Sequence, residues 1–382
     1  MEFITINDLS TVVRGSSPRP KGDPKYYGGS VPRLMVSDVT RDGMYVTPST
    51  DSLTLEGAKK SRPMEKGELV IAVSGDPGEP SILNVNACIH DGFVGLRNLD
   101  AKRVFTPYLY RFFKFNKLIN KSQAVGAIYK NLNTDQIKSL KIPLPNLETQ
   151  KRIAAILDEA DTLRQLNQQL IAKYDALTQS LFLDMFGDPV TNSMGWEKVA
   201  MSKICDLKKK TIKPENISTN TKYIPLDAIE KETGKIIGYE IVECGDIKSN
   251  KFYFTNEHIL YGKLRPYLNK VSLPNFEGIC STDIIPLKPI PNKTNRFFIA
   301  QIMRGNGFVS FASERSSGAN LPRISPDEIQ KHKIINPPIH LQTQFAERVQ
   351  VIEQQKQQAQ DALQKSELLF NSLLQKAFNG TL

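Results

Sequence analysis

Cysteine is scarce in this chain. Four occur among 382 residues, at Cys88, Cys205, Cys244 and Cys280, and no two form a C-x-x-C pair. That spacing argues against a structural zinc site and a disulfide framework, and it suits a reducing compartment such as the cytoplasm. Long apolar runs are missing too. Nothing approaches the roughly 20 residues that a membrane-crossing helix needs. The N-terminal Met1-Glu-Phe-Ile-Thr lacks a basic region followed by an apolar stretch, so no signal peptide is expected. Catalytic signatures are also absent. His90, His258, His332 and His340 show no metal-pair spacing. There is no G-x-S-x-G elbow and no G-x-x-x-x-G-K-[ST] phosphate loop.

What the chain has instead is charge of one sign and a repeat. Fifty Lys plus Arg against forty Asp plus Glu gives a net charge of +10, which draws a protein toward polyanions, nucleic acid first. Gly126-Ala-Ile-Tyr-Lys-Asn-Leu-Asn-Thr-Asp-Gln-Ile137 is answered by Gly318-Ala-Asn-Leu-Pro-Arg-Ile-Ser-Pro-Asp-Glu-Ile329, 192 positions on. At the same offset Cys88-x-x-Asp91 recurs as Cys280-x-x-Asp283. A period of half the chain means two copies of one architecture. The stretch from Glu2 to Leu9 parallels that from Glu197 to Ile204, and a mixed segment rich in Gly and Pro follows each. Short apolar runs such as Leu69–Val73 and Ile284–Leu287 read as strands.

The texture then changes. From Lys151 to Phe186 there is no Gly or Pro, and Ile153, Ile156, Ala160, Leu163, Leu170, Tyr174, Leu177 and Leu181 trace a heptad seam with Asn167 at its polar position. Gly187-Asp188-Pro189 stops the helix. From Phe345 to Phe378 the pattern returns, with Val349, Ile352, Ala359, Leu363, Phe370, Leu373 and Ala377 on the seam and Lys356 and Ser366 at core positions. A single amphipathic helix of that length cannot bury its stripe alone, and its own duplicate is the natural partner. The sequence therefore predicts an α+β fold: two mixed α/β heads related by a pseudo-twofold and separated by two long antiparallel helices forming a coiled coil. The expected divisions are 1–147, 148–187, 188–340 and 341–382. One near-miss is Asn336-Pro337-Pro338-Ile339, which resembles the N-P-P-[YF] motif of adenine methyltransferases. Ile339 cannot stack on a flipped base, so the plainer reading is a rigid entry into the second helix.

The order of parts now matches a family. A proline-rich entry, the helix T-Q-K-R-I-A-A-I-L-D-E-A-D-T-L-R, the exit M-F-G-D-P, the restart W-E-K-V and a second head carrying G-K-L-R-P-Y-L-N-K resemble the specificity subunit of type I restriction–modification systems. The resemblance covers essentially the whole chain. It implies a non-catalytic DNA-reading subunit in which two target-recognition domains, 1–147 and 188–340, each read half of a gapped site. The helices would act as spacer and, through their polar faces, as dock for two methyltransferase subunits. It implies no cofactor on this chain. S-adenosylmethionine would sit on the methyltransferase partners, and a motor-nuclease subunit is a further partner. Adenine methylation, with or without cleavage, would belong to those partners.

Phosphate contacts need Lys, Arg and small polar donors, and base contacts need Arg, Asn, Gln, Asp or Ser on exposed loops. In the first head the candidates are Arg14, Ser16, Arg19 and Lys21 of a flexible basic loop, with Tyr26, Tyr27, Ser74, Asp76, Tyr129, Lys130 and Asn131. In the second they are Lys208, Lys209, Lys210, Lys213, Lys263, Arg265, Tyr267, Arg315, Ser316, Asn320 and Arg323, the last expected to grip a guanine with both prongs of its fork. The alternative to DNA reading is a two-headed scaffold joining protein partners. Such a scaffold would have no use for these basic loops.

Overall fold

Asn146 starts the first long helix, Leu147–Phe186, by accepting the Thr149 amide on its side-chain oxygen at 2.8 Å. This satisfies one of the amides that a helix start leaves without a partner. The helix ends at Gly187, whose φ of +71° only a residue without Cβ adopts freely, and the Trp196 indole N–H caps the Phe186 carbonyl at 3.0 Å. The second long helix, Ile339–Asn379, is entered through Asn336-Pro337-Pro338, with the Pro338 carbonyl accepting the amides of Leu341 and Gln342. The near-miss motif is thus a helix entry. The structure, a computed structural model, describes residues 3–122 and 133–382. Among these, no helix is long and apolar enough to cross a membrane.

The chain divides into two compact units, Met1–Gln168 with Asp361–Leu382, and Gln169–Gln360. Each unit therefore takes one head and a share of both long helices.

In the first unit a five-stranded sheet has the order Thr11–Arg14, Phe93–Arg97, Leu69–Ala72, Pro80–Leu83, Tyr45–Val46. Beside it runs a four-stranded sheet in which Tyr27–Leu34 pairs in parallel with Ala87–Ile89. Strand Phe3–Thr5 pairs with Lys141–Pro143 and ties the head's two ends together. Helix Thr106–Ser122 packs its aromatic face inward, and the core it helps build also receives Ile153, Leu157 and Ala160 from the first long helix. Phe370, Leu374, Ala377 and Phe378 enter the same core from the end of the second long helix. Phe378 sits 5.2 Å from the rings of both Tyr108 and Phe115. Start of one helix beside end of the other is antiparallel packing.

The second unit repeats the scheme. Thr221–Ile224 pairs in parallel with Gly278–Cys280, and Lys198–Ala200 ties to Lys333–Ile335. Phe182 and Phe186, from the end of the first long helix, lie 5.6 and 5.5 Å from Phe345, near the start of the second. Lys356, expected at a core position, is only 14% exposed and bonds Asp175 at 2.5 Å. Ser366, in the first unit, is 3% exposed, its hydroxyl donating to the Leu363 carbonyl.

The seam of the second helix lies where the heptads place it. That of the first does not. Leu163, Leu170 and Leu177 are exposed, whereas Leu157 and Thr178 are buried. Every second seam position shifts by one residue, to a step of four and then three. The cause is visible at Arg164: its guanidinium lies over the Phe370 ring at 4.9 Å and bonds Asp161 at 2.6 Å. A long cationic side chain occupies a seam position that an apolarity count assigns to the leucine beside it.

Two buried glutamines, 192 positions apart, fasten the helices to the heads. The Gln150 carboxamide accepts the Phe105 amide and donates to the carbonyls of Arg103 and Pro145. Gln342 accepts the Asn295 amide and the Thr294 hydroxyl and donates to Pro337. Sequence reading passed over both.

Burial lowers the pKa of three imidazoles, His90, His258 and His332, the last stacked on Phe311 at 3.8 Å. Unfolded, each would take up a proton near pH 6.5; folded, each resists it. Stability is therefore complete above that pH and falls as pH drops below it, by at most about 1.4 kcal/mol per pH unit for each ring. Melting profiles at pH 7.0 and 5.5 check this, and His332→Phe should narrow the gap between them. An unchanged gap would remove His332 from the account.

Candidate nucleic-acid interface

The first unit's basic loop is not loose. Gly15 packs so closely on the neighbouring strand that a Cβ there would lie 1.9 Å from the His90 carbonyl oxygen. The Ser16 hydroxyl donates to the Lys60 carbonyl at 3.1 Å. Ser17 donates to Asp91 at 2.6 Å and accepts from Arg33 at 2.9 Å, and the Tyr27 hydroxyl holds the Pro18 carbonyl at 2.8 Å. With its floor clamped this way, the loop presents Arg14, Arg19 and Lys21 to solvent. The expectation of flexibility is corrected: each anchor sits on a small or rigid residue, leaving the charged ones outward.

The other candidates of this unit scatter. Tyr26 is 7% exposed, with its hydroxyl accepting from Lys60, so it belongs to the packing. Ser74 and Asp76 are exposed, and Asp76 bonds the buried Lys117, which also reaches Glu79 at 2.6 Å. Asp76 is thus half of a structural ion pair. Tyr129, Lys130 and Asn131 lie outside the described residues.

In the second unit three separate segments are laced into one platform by main-chain hydrogen bonds. The Lys263 amide donates to Asp283, the Ile324 amide to Lys263, and the Arg265 amide to Pro322 at 2.7 Å. Ser317 and Arg323 exchange amide–carbonyl bonds in both directions. The platform brings Lys263, Arg265, Tyr267, Ser316, Asn320 and Arg323 together, with Arg265, Tyr267 and Asn320 exposed. Lys209 joins its edge. Burial against Phe252 and the nearby Lys263 charge push its ammonium pKa down. Lys210 lies over Tyr253 at 4.7 Å, while Lys208 is exposed. Lys213 and Arg315 face carboxylates, Glu215 and Glu328, each at 3.8 Å.

Arg323 departs from the expectation of a free fork. Its Nε donates to Asp283 Oδ1 at 2.9 Å and its Nη2 to Oδ2 at 3.2 Å, and the third nitrogen donates to the Leu321 carbonyl. This contact holds the Asp283 carboxyl below its ordinary pKa. The duplicated Cys-x-x-Asp was visible in the sequence. Its role as the anchor of the basic face was not, since nothing in the spacing says which loop the carboxylate meets.

Residues 1–174 and 194–365 each match the model of the type I restriction modification DNA specificity domain. The specificity subunit of the Escherichia coli type I restriction enzyme EcoDI is 30% identical over 191 residues, 49% of this chain and 42% of that protein. The chain thus aligns with less than half the length of that relative. The StySPI specificity subunit of Salmonella potsdam is 23% identical over 412 residues, 99% of this chain and 88% of that one. The crystal structure of the type I restriction–modification S subunit from M. genitalium superposes with a TM-score of 0.58 at 17% identity, covering 99% of this chain and 96% of that chain, a likeness of fold.

Proposed function

Since the chain belongs to the type I restriction–modification DNA specificity family, we propose that it reads a bipartite, gapped DNA site and directs methyltransferase partners to it. The chemistry resides in those partners, which bind S-adenosylmethionine and methylate adenine, and a motor-nuclease subunit would add cleavage. The observation that carries this reading is the doubled basic face. Each unit has its own head, and each head a rigidly floored set of outward cations.

One head covers a few base pairs. Two heads on one chain that bind the same duplex add their binding free energies. A 40-residue helix is about 60 Å long, against about 34 Å for a turn of B-DNA. Exposed leucines give the methyltransferases an apolar landing strip in addition to the polar faces: Leu163 and Leu166 in the first unit's share of the long helix, Leu170 and Leu177 in the second's. The expected location is the cytoplasm, where the DNA is.

Mapping modified adenines across the genome with and without this gene is the test. A gapped motif that disappears on deletion supports the reading and gives the target. An unchanged methylation map would refute it, and partner assembly indifferent to added duplex would favour a protein scaffold instead.

A further inference from the structure

Both heads place a carboxylate three residues beyond a buried cysteine whose strand pairs in parallel, and both insert that carboxylate into the basic face. In the first unit Asp91 holds Ser17 between Arg14 and Arg19. In the second Asp283 holds the Arg323 fork, with Lys263 Nζ 4.0 Å away. An anion in the middle of a surface meant for polyanions weakens general attraction to phosphate. A head needing affinity alone would gain by an amide there. Arg323 could have faced solvent, since its side chain is 40% exposed, yet its fork is occupied.

Resting on the DNA-reading role above, we propose that Asp283 is a specificity-determining residue. It acts as an internal competitor that keeps Arg323 from indiscriminate phosphate binding and releases it only to a site that matches the fork better. A carboxylate, a phosphate and a guanine edge each offer two acceptors to a guanidinium, but a phosphate is an anion that the neighbouring Asp283 carboxylate repels, whereas a guanine edge is neutral. Discrimination then comes from the difference between what displaces Asp283 and what does not.

The experiment uses the full chain and two probes: a mixed-sequence duplex of about 40 base pairs lacking the mapped motif, and the same duplex carrying it. Binding is titrated over a range of salt. Asp283→Asn keeps the shape and removes the charge. It should tighten mixed-sequence binding by about 3- to 10-fold and steepen the salt dependence by about 0.9, the value for one freed cation. On the motif-bearing duplex it should gain less, so the ratio between the probes falls. Arg323→Ala alone should give no gain on the mixed-sequence duplex, because it frees no cation and leaves the Asp283 carboxylate unpaired beside Lys263. The double variant D283N/R323A should return to the wild-type salt slope.

An unchanged slope in D283N overturns the proposal. So does an R323A variant that binds the mixed-sequence duplex as tightly as D283N, since a freed Arg323 would then not be the source of the gain. A double variant as abnormal as D283N means that the platform was damaged rather than a cation freed, and counts against it as well. If the wild-type chain binds neither duplex, the DNA-reading role itself fails and this inference with it.

Discussion

Replacing Arg111 with alanine should destabilise the first unit by about 2–3 kcal/mol, because it takes a buried cation away from Asp161, which is 13% exposed, and from Asp158, which at 44% exposed still reaches solvent. The Arg111 side chain is 4% exposed and meets Asp158 at 2.6 Å and Asp161 at 2.9 Å. Burial works against its charge, but the two carboxylates outweigh it and raise its pKa. The guanidinium also faces the Phe370 ring at 5.6 Å, so a single side chain joins the head to both long helices within this unit. Arg164 still bonds Asp161 in the variant, which puts the effect at the lower end of the range. The only tryptophan, Trp196, lies in the second unit and reports on its integrity, while hydrogen exchange of the Thr106–Ser122 helix reads the damage. A loss under about 1 kcal/mol would mean that the ion cluster is solvated and dispensable.

Gln342→Ala should cost the second unit about 2–4 kcal/mol. No water reaches this side chain, which is 0% exposed. Its removal leaves the Asn295 amide, the Thr294 hydroxyl and the Pro337 carbonyl without their partner at once. Burying a polar group unpaired costs more than the bond it made was worth, so the sum outruns the loss of one small side chain. The Trp196 emission transition in a denaturant series is the measurement, and Gln150→Ala is the matching change in the first unit. A shift within the range of ordinary surface substitutions, about 0.5 kcal/mol, would show that the clamp relaxes onto other donors.

The parts of the fold governed by periodicity were legible. The first long helix stops before Gly187 as read, and both heptad stretches fall inside the observed helices, which start four and six residues earlier, at Leu147 and Ile339. Strands were found at Leu69–Ala72 and Ile284–Pro289 because apolar runs between turn residues have few other uses. The seam of the first helix was read one residue off at alternate positions. Leucine outranks arginine on any apolarity scale, and only coordinates show Arg164 stacked on Phe370. The candidate interface was legible as composition and not as geometry. Basic clusters announce a surface, but whether a cation is free depends on partners far away in sequence, as Asp283 is from Arg323 and Lys117 from Asp76.

The placement of Phe370 and Phe378 in the first unit's core bears on how the chain is made. A ribosome completes the N-terminal head's own residues more than two hundred codons before it delivers the aromatic side chains that fill its centre. Until then that head has a gap lined by Tyr108, Phe112 and Phe115. A product cut short before Phe370 keeps that gap permanently and exposes it to chaperones and proteases. The first head's core therefore closes last, when residues near the far end of the chain reach it.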